Sequence, residues 1–426
     1  MKQNIYIKQL GPIRECAMDV DAFTILTGAQ ASGKSTIAKA IYFFKTMKID
    51  VFEQITHRIT EDDYRSSMKQ GLEKRVRNKF LRIFGSSWSM DSAMKMKYQY
   101  SDHMAIEVYL EPDHHVSYRN FVKMSFGEPL REFLEKYDES TYEWDQEEER
   151  NNLRDEIQKL FHDPYEAVYI PAGRSLTTVL SDYLASIMDD DQRVLDYCMR
   201  SYIRLILSKR PAFRNGIEGL FREKLQTTQD KINKETLKLL QKRMESVLCG
   251  RYIYDRGEEH LRLSDGSHRY VKINYASSGQ QETVWVFNLL YYYLLERSKI
   301  FLIIEEPEAH LYPDAQKMIA EALGIFGNDG NAVFVTTHSP YMLGAFNNLC
   351  YASQLSNEDV GKTTMDKETF LRREDTSVWH LKDGKIQDGF MDEFINNTLI
   401  DGASDRINEE IDLLMDLVEE GERAHE

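Results

Sequence analysis

A glycine-rich segment near the amino terminus has the residue types and spacing of a phosphate-binding loop. Residues 28–35 match the pattern G-x-x-x-x-G-K-[ST] and follow the apolar run 22–26. Glycines let backbone N–H groups turn inward around phosphate oxygens, and the helix predicted after the loop adds positive potential at its amino terminus. Lys34 is expected to bridge the β- and γ-phosphates, and the Ser35 hydroxyl to bind Mg²⁺. The residues expected to hold phosphate or metal here are Gly28, Ala31, Ser32, Gly33, Lys34, Ser35 and Thr36.

Two carboxylates follow an apolar strand in the carboxyl-terminal half of the chain. The run 301–304, Phe-Leu-Ile-Ile, ends in Glu305 and Glu306. Metal ions and attacking waters of phosphoryl transfer are held at such strand ends. Glu305 is therefore expected near Mg²⁺, and Glu306 is expected to polarise a water in line with the γ-phosphate. The alternative is an acidic surface turn.

A histidine follows the next apolar strand along the chain. The run 332–336 leads into Thr337 and His338. His338 is placed to donate a hydrogen bond to the γ-phosphate if this strand end lies beside the other two. A lone histidine is more often structural, but the order of the three segments favours the functional interpretation.

A serine–glycine turn lies between a predicted strand and a predicted helix. Its polar residues are Ser277, Ser278, Gly279 and Gln280. Serine hydroxyls and glycine N–H groups at a helix start suit an anion. The alternative is an ordinary helix cap, and taken alone this alternative is the better interpretation.

The elements around these residues predict an α/β protein with a long helical middle part. Helices are predicted over 36–48, 52–93, 127–163, 175–248, 281–296 and 403–420. One strand is predicted within 4–27, a meander over 96–100, 104–110 and 116–126, further strands over 167–170, 300–304 and 332–336, and a hairpin over 251–275.

Composition places the chain among ordinary globular proteins. It has 426 residues, of which 42% are hydrophobic and 29% charged. The net charge of −16 argues against a nucleic-acid-coating protein, although a local basic patch stays open. Four widely spaced cysteines do not suggest a zinc site or a disulfide framework. Since neither a signal peptide nor a span long enough for a bilayer is recognised, a soluble cytoplasmic protein is expected.

In this order, the four segments resemble the core of ABC-type ATPases, most closely the SMC, RecF and OLD-like branch. Residues 276–280 resemble the signature motif, residues 305–313 the Walker B and D-loop segment, and residues 336–340 the switch-histidine segment. The resemblance implies an α/β P-loop NTPase of ABC type with an antiparallel β-subdomain and a large helical insert. The expected ligands are ATP and Mg²⁺.

The same resemblance implies that the working site is shared between two copies of the chain. Ser277 and Gly279 would contact the γ-phosphate of ATP held by the phosphate-binding loop of the other copy. Two ATP molecules would then be enclosed in a head-to-tail homodimer, which hydrolysis loosens. Nucleotide-dependent affinity follows because the triphosphate adds contacts that the diphosphate lacks.

The chain departs from the family pattern at several positions. Glu305 stands where ABC proteins usually have aspartate, and Ala29-Gln30 stands where proline–asparagine is common in the branch. Residues 170–175 resemble a segment that recurs in the branch, which suggests that Arg174 lies near the nucleotide. Its alternative is a surface arginine after a strand.

Four segments are predicted from these patterns. They are 1–125 (first ATPase lobe with loop and meander), 126–270 (mainly helical insert), 271–395 (second ATPase lobe) and 396–426 (acidic terminal helix). The insert shows no sustained heptads and is therefore expected to be compact rather than a coiled-coil arm.

The resemblance leaves the biological role open between two possibilities. One is a stand-alone ATPase that acts with a separate effector protein, as in bacterial anti-phage defence systems. The other is a repair or recombination ATPase of the RecF or SMC kind that binds DNA, which short basic clusters such as 74–79 keep open. A membrane-transporter subunit is disfavoured by the long insert, and no membrane partner is expected.

Overall fold

An eleven-stranded mixed β-sheet forms the centre of the part of the chain that the structure describes. The structure is a computed structural model and describes residues 3–57, 66–112, 120–138, 144, 146–181, 183–184, 195–227, 232–264, 266–267, 269–396, 409–412 and 414–415. The strand order is β6-β5-β4-β1-β2-β14-β13-β3-β12-β11-β7. These strands are β1 (Gln3–Leu10), β2 (Ile13–Val20), β3 (Phe23–Gly28), β4 (Lys95–Gln99), β5 (Ala105–Pro112), β6 (Asn120–Phe126), β7 (Glu166–Ile170), β11 (Ile300–Glu305), β12 (Ala332–Thr337), β13 (Thr376–Lys382) and β14 (Lys385–Asp388).

One half of the sheet is parallel. Strands β13, β3, β12, β11 and β7 run in the same direction, so their carboxyl ends meet at one edge. Every residue of β3, β11 and β12 is buried, as expected for strands covered on both faces. The three apolar strands predicted before the loop, the carboxylates and the histidine are therefore confirmed as neighbours.

The other half of the sheet is antiparallel. The predicted meander is confirmed as β4, β5 and β6, and β4 pairs with β1. The prediction of a single strand within 4–27 is wrong, because this segment forms β1, β2 and β3. Gly11, at φ 55°, takes a left-handed turn before Pro12, and this turn folds β2 back along β1.

Helices cover both faces of the sheet. They are α1 (Lys34–Lys45), α2 (Met47–Thr56), α3 (Met68–Phe84), α4 (Glu128–Glu135), α5 (Glu147–Leu160), α6 (Ser175–Val179), α7 (Tyr197–Lys209), α8 (Gly216–Thr227), α9 (Lys234–Leu248), α10 (Ser278–Glu296), α11 (Pro313–Asn328), α12 (Pro340–Ala352) and α13 (Asn357–Val360). None of the helices within the described ranges is long and apolar enough to cross a membrane. Of the predicted helix 403–420, all but residues 409–412 and 414–415 lies outside the described part of the chain.

Two hydrophobic cores lie on opposite faces of the parallel strands. Ile303 of β11 belongs to the core that includes α1, α2 and α3, whereas Leu302 and Ile304 belong to the core that includes α10, α11 and α12. This alternation is the period-two pattern of a strand that is buried on both faces. It fixes β11 between two helical layers and so fixes the position of the carboxylates at its end.

The predicted insert contributes to the main sheet as well as forming helices. Strand β7 lies at the sheet edge and pairs in parallel with β11, with Tyr169 opposite Ile303. The predicted hairpin over 251–275 is a three-stranded sheet of β8 (Gly250–Asp255), β9 (Glu258–Leu263) and β10 (Tyr270–Lys272). The four segment boundaries remain a prediction, but β7 belongs to the same sheet as the strands of both ATPase lobes.

The β13–β14 hairpin was not predicted. Asp383 and Gly384 both have positive φ angles, 51° and 75°, in the two-residue turn between these strands. The Gly384 carbonyl accepts hydrogen bonds from the N–H groups of Arg14 and Glu15, at 2.8 and 3.0 Å. The hairpin therefore joins the parallel half of the sheet to β2. A second small hairpin, β15 (Phe390–Met391) and β16 (Phe394–Ile395), follows it.

Candidate functional site

The glycine-rich loop has the backbone shape of an anion cradle. Ala31 and Gly33 have left-handed φ angles of 60° and 112°. A Cβ atom at Gly28 would lie 2.5 Å from the Leu381 carbonyl oxygen, so only glycine fits there. Helix α1 begins directly after Gly33 and has no side-chain cap, which leaves its first N–H groups available to a ligand.

Lys34 is buried at the base of the loop. Its ammonium donates to the carbonyl oxygens of Gly28 and Ala29, at 2.8 and 2.9 Å. Burial lowers the pKa of Lys34, although the nearby carboxylates of Glu306, Glu308 and Glu305 counteract this. A partly desolvated ammonium that two loop carbonyls hold in place is a strong electrostatic partner for a phosphate.

Glu305 connects the loop to the acidic strand end. The hydroxyls of Ser35 and Tyr169 each donate to one of its two carboxylate oxygens. Tyr169 is buried, and burial raises its pKa well above the usual value of 10, so the phenol keeps the proton that it donates. The structure thus brings together the two residues predicted to bind Mg²⁺, Ser35 and Glu305. It adds Tyr169, which sequence reasoning missed because a tyrosine in an apolar strand is ordinary.

Glu306 has a strained backbone and a charged neighbour. Its φ angle is 44°, a left-handed value that is uncommon for a residue other than glycine, and its N–H donates to the Thr336 carbonyl at 2.9 Å. Its Oε1 atom lies 3.5 Å from Nδ1 of His338. Hydrogen bonding between the two lowers the pKa of Glu306 and raises that of His338, so the pair is charged over a wider pH range than either residue alone. The predicted water-polarising carboxylate and the predicted histidine lie side by side.

Glu308 forms hydrogen bonds that fix the end of β12, where Thr337 and His338 lie. Its Oε1 atom accepts from the Thr337 hydroxyl at 2.6 Å and from the His338 N–H at 3.1 Å. Its second oxygen, Oε2, and the Ser32 hydroxyl are buried without a hydrogen-bond partner. Buried polar atoms normally have partners, so these two sites beside the loop have unused capacity for a ligand or its waters.

The signature turn, residues 276–280, forms the start of α10. Ser277 caps the helix in a capping box with Gln280, whose side-chain amide also donates to the Leu248 carbonyl at 2.7 Å. Ser277 and Ser278 are exposed, whereas Gly279 packs so closely that an added Cβ would lie 2.9 Å from the His310 carbonyl oxygen. The turn therefore forms a helix cap, with the two serines exposed beside residues 310–311, and its predicted contact with a nucleotide stays a prediction.

Arg174 is buried, which excludes the alternative of a surface arginine. Its guanidinium donates to the carbonyl oxygens of Pro171, Glu282, Glu305 and Glu306, at distances of 2.7 to 3.2 Å. It also forms an ion pair with the Glu282 carboxylate, at 3.4 Å. These bonds place the Arg174 guanidinium in contact with the backbone of the acidic strand end.

The residues fit a nucleoside triphosphate with Mg²⁺. The loop, the buried Lys34 and the uncapped amino terminus of α1 offer hydrogen-bond donors to phosphate. Ser35 and Glu305 offer the oxygen ligands that Mg²⁺ prefers. Within the described ranges, no group of three or more His, Cys, Asp or Glu side chains could hold a metal alone. A Mg²⁺ ion that keeps water and phosphate oxygens needs only one or two protein ligands, so this finding agrees with the donor set.

These features define a P-loop ATPase with the motif order of the ABC type. Residues 1–343 match the family described as AAA ATPase domain. This match covers well over half of the chain, and the chain belongs to that family.

Solved structures that match include SMC head domains. An SMC head bound to the C-terminal winged-helix domain of ScpA is 12% identical, with 91% of this chain and 97% of that chain covered and a TM-score of 0.41. The Pyrococcus furiosus SMC head with an extended coiled coil is 13% identical, with 96% and 99% covered and a TM-score of 0.40. The Thermotoga maritima SMC head is 12% identical, with 92% and 99% covered and a TM-score of 0.37. These scores are too low to carry a conclusion, and no curated protein sequence matches the chain.

Proposed function

We propose that this chain binds ATP with Mg²⁺ at the edge formed by β3, β11 and β12, and hydrolyses it. The observation that carries the proposal is the contact between the Ser35 hydroxyl and the Glu305 carboxylate. It joins the phosphate-binding loop to the acidic strand end, 270 residues apart in sequence. The sequence motifs assign the loop and the acidic strand end to the same phosphate and metal chemistry, and the fold brings the two segments into contact.

The proposed roles follow from the position of each group. The loop N–H groups and Lys34 bind the β- and γ-phosphates, while Ser35 and Glu305 hold Mg²⁺, which neutralises charge on the transferred phosphoryl group. The Glu306 carboxylate orients and polarises the attacking water. Protonated His338, held beside Glu306, donates to the γ-phosphate. The hydrogen bond with the Glu306 carboxylate raises the pKa of His338 and so favours its charged, donating form.

We further propose that two copies enclose ATP head to tail. The signature turn supports this, since Ser277 and Ser278 are exposed at a helix amino terminus, where serine hydroxyls and N–H groups suit an anion. Exposed tyrosines support it as well. Tyr275 and Tyr312 are 78% and 75% exposed, and they flank the contact between the signature turn and residues 310–311. Large aromatic side chains exposed together are typical of protein interfaces.

The proposed dimer acts as a nucleotide-driven switch on a separate effector protein, with bacterial anti-phage defence as the setting. This part rests only on the motif resemblance. A pulldown with Glu306→Gln protein and ATP, read by mass spectrometry, identifies the effector, since the variant is expected to hold the ATP-bound state.

The DNA-binding alternative has little support from the described residues. In the basic cluster 74–79, Lys79 is buried against Asp50, and Arg75 is bonded to Glu53. Arg77 donates to the Val122 carbonyl at 3.1 Å. These side chains stabilise the packing of α3 rather than forming a free basic surface.

Two substitutions test the ATPase proposal. Lys34→Ala is expected to abolish ATP binding, because the ammonium that pairs with the phosphates is lost. Glu306→Gln is expected to bind ATP normally and to hydrolyse it about a hundredfold more slowly or worse, since an amide cannot act as a general base. Binding is measured by calorimetry and turnover by phosphate release.

Lys39→Ala is the matched control, because Lys39 lies one turn further along the same helix and pairs with Asp196 near the surface. Lys39→Ala should change neither ATP affinity nor turnover. Normal ATP binding by Lys34→Ala protein would overturn the proposal.

A further inference from the structure

The Arg174 guanidinium joins three separate parts of the chain in the interior. Its hydrogen bonds go to four backbone carbonyls. Pro171 follows β7, Glu305 and Glu306 lie at the end of β11, and Glu282 lies on α10. Both charged side chains of the pair Arg174–Glu282 are almost fully buried, at 0% and 1% exposure. The second Glu282 oxygen, Oε1, accepts from the Ser175 N–H at 3.2 Å, which fixes the other side of the pair.

The bonds to the strand end act on the backbone rather than on the carboxylates. Nη1 donates to the Glu305 carbonyl at 2.9 Å, and Nη2 donates to the Glu306 carbonyl at 3.1 Å. Glu306 has the left-handed φ angle of 44°, and its N–H is held by Thr336. Both peptide groups of Glu306 are therefore anchored. A strained backbone persists only where surrounding bonds over-determine it. Arg174 supplies two of these bonds, and the others are made by the Thr336 carbonyl and by the Ala309 N–H, which donates to the Glu306 carbonyl at 3.0 Å.

The same guanidinium reaches the helix that carries the signature turn. Nε donates to the Glu282 carbonyl at 2.7 Å, and Glu282 lies only two residues beyond Gln280. The guanidinium, a rigid planar group, is thus bonded both to the strand end that carries Glu305 and Glu306 and to the start of α10. In the proposed dimer, the first would act on the chain's own ATP and the second on the ATP of the other copy.

We propose that Arg174 is a positioning residue that fixes the acidic strand end to α10. It makes the carboxylates and the signature turn move as one body, which couples hydrolysis at one ATP to engagement of the other. Four of its five guanidinium N–H donors bond to backbone carbonyls and its side chain is fully buried, so Arg174 acts on the nucleotide through Glu306 rather than by touching it. This inference rests on the ATPase function proposed above.

Arginine is required by the geometry. The guanidinium is planar and offers five N–H donors in a fixed fork, whereas a lysine ammonium is a point charge that cannot reach three backbone segments together. Arg174→Lys keeps the charge opposite Glu282 and so avoids a buried unpaired carboxylate. It is expected to fold like the wild type but to release the Glu306 backbone.

The test compares Arg174→Lys and the double variant Arg174→Met/Glu282→Gln with the full-length wild type. The double variant removes both buried charges together, since leaving one unpaired destabilises a core. Both are expected to bind ATP with a Kd within about twofold of the wild type, while kcat falls roughly tenfold to a hundredfold, as for a small misplacement of reacting groups. The dependence of turnover on ATP concentration should also lose any cooperativity that the wild type shows.

Arg243→Met/Glu321→Gln is the control, because Arg243 and Glu321 form another buried ion pair, at 2.7 Å; Arg243 also pairs with Asp366, which is partly exposed and can be solvated when the arginine is lost. It should lower the melting temperature comparably and leave kcat unchanged. Unchanged kcat in both Arg174 variants overturns the inference. Loss of ATP affinity in step with kcat/KM also overturns it, because that result shows a direct nucleotide contact. Wild-type protein that does not hydrolyse ATP contradicts both proposals, whereas active wild type with equally active variants contradicts only this one.

Discussion

Glu305 receives a hydrogen bond at each carboxylate oxygen, and the two donors come from different parts of the chain. Ser35 belongs to the phosphate-binding loop, whereas Tyr169 belongs to β7 at the edge of the sheet. Glutamate is one methylene longer than the aspartate that ABC proteins usually have at this position. Its carboxylate therefore needs an additional contact to define its orientation, and the buried Tyr169 phenol supplies it.

Tyr169→Phe is expected to weaken Mg²⁺ binding while ATP itself is still bound. The loss of a hydrogen bond to a charged group is worth about 1.5–3 kcal/mol, so the Mg²⁺ concentration for half-maximal turnover should rise about tenfold to a hundredfold. Turnover is measured across a Mg²⁺ titration at saturating ATP. Tyr98→Phe is the control, since Tyr98 is an equally buried tyrosine whose hydroxyl donates to Gln3, at 2.7 Å, far along the sheet. An unchanged Mg²⁺ dependence for Tyr169→Phe would contradict the assigned role.

The sequence predicted which residues lie in the loop and at the strand ends, because their spacing is local. It did not predict what Tyr169 and Arg174 do. Their partners at the end of β11 are 131 to 136 residues away in sequence. Only the parallel pairing of β7 with β11 brings them into contact, and a short strand gives no sequence signal for its neighbour in the sheet.

At the scale of the elements, the start of α10 and the segment after β11 form one contact. A Cβ added at Gly279 would lie 2.9 Å from the His310 carbonyl oxygen and 3.2 Å from Cδ2 of Leu311. The capping box holds Ser277 and Gln280 in place at the same time. The helix start therefore packs against residues 310–311 with no room for an added methyl group.

Gly279→Ala is expected to lower turnover several-fold without changing ATP binding to the loop. The methyl group forces a backbone carbonyl to shift, and this displaces the signature turn relative to Glu306. Turnover and ATP affinity are measured side by side. In Gly361→Ala, the control, the new Cβ meets only an ordinary contact at 3.4 Å on an exposed helix end. A Gly279→Ala protein with wild-type turnover would show that this contact tolerates displacement.

The β13–β14 hairpin shows the limit of sequence reasoning at this scale. Its Asp383-Gly384 turn is a strong hairpin signal between two β-like runs, and it could have been recognised. Its place in the sheet could not, because β13 pairs with β3, about 350 residues earlier in the chain. Local chemistry predicts turns, whereas the order of distant strands is decided by the packing of the whole sheet.

For the whole molecule, the net charge of −16 and the exposed aromatic residues lead to different expectations. Two strongly acidic chains repel each other at long range, so association must come from local contacts and be sensitive to salt. Tyr275 and Tyr312 are among the most exposed large side chains of the described residues, and both lie beside the signature turn. Apolar burial of these rings and a shared ATP would offset the repulsion.

Tyr275→Ser/Tyr312→Ser is expected to abolish ATP-dependent dimerisation while each copy still binds ATP. The measurement is sedimentation velocity of Glu306→Gln protein, with and without the two tyrosine substitutions, in the presence of Mg²⁺ and ATP. Removing two exposed rings deletes apolar interface area but touches neither the loop nor the carboxylates, so ATP affinity should stay within about twofold. Phe121→Ser is the matched control, since Phe121 is a half-exposed aromatic residue on the far edge of the sheet in β6. Dimers that form equally well without the two tyrosines would place the contact between copies on another face and remove the main structural support for a shared site.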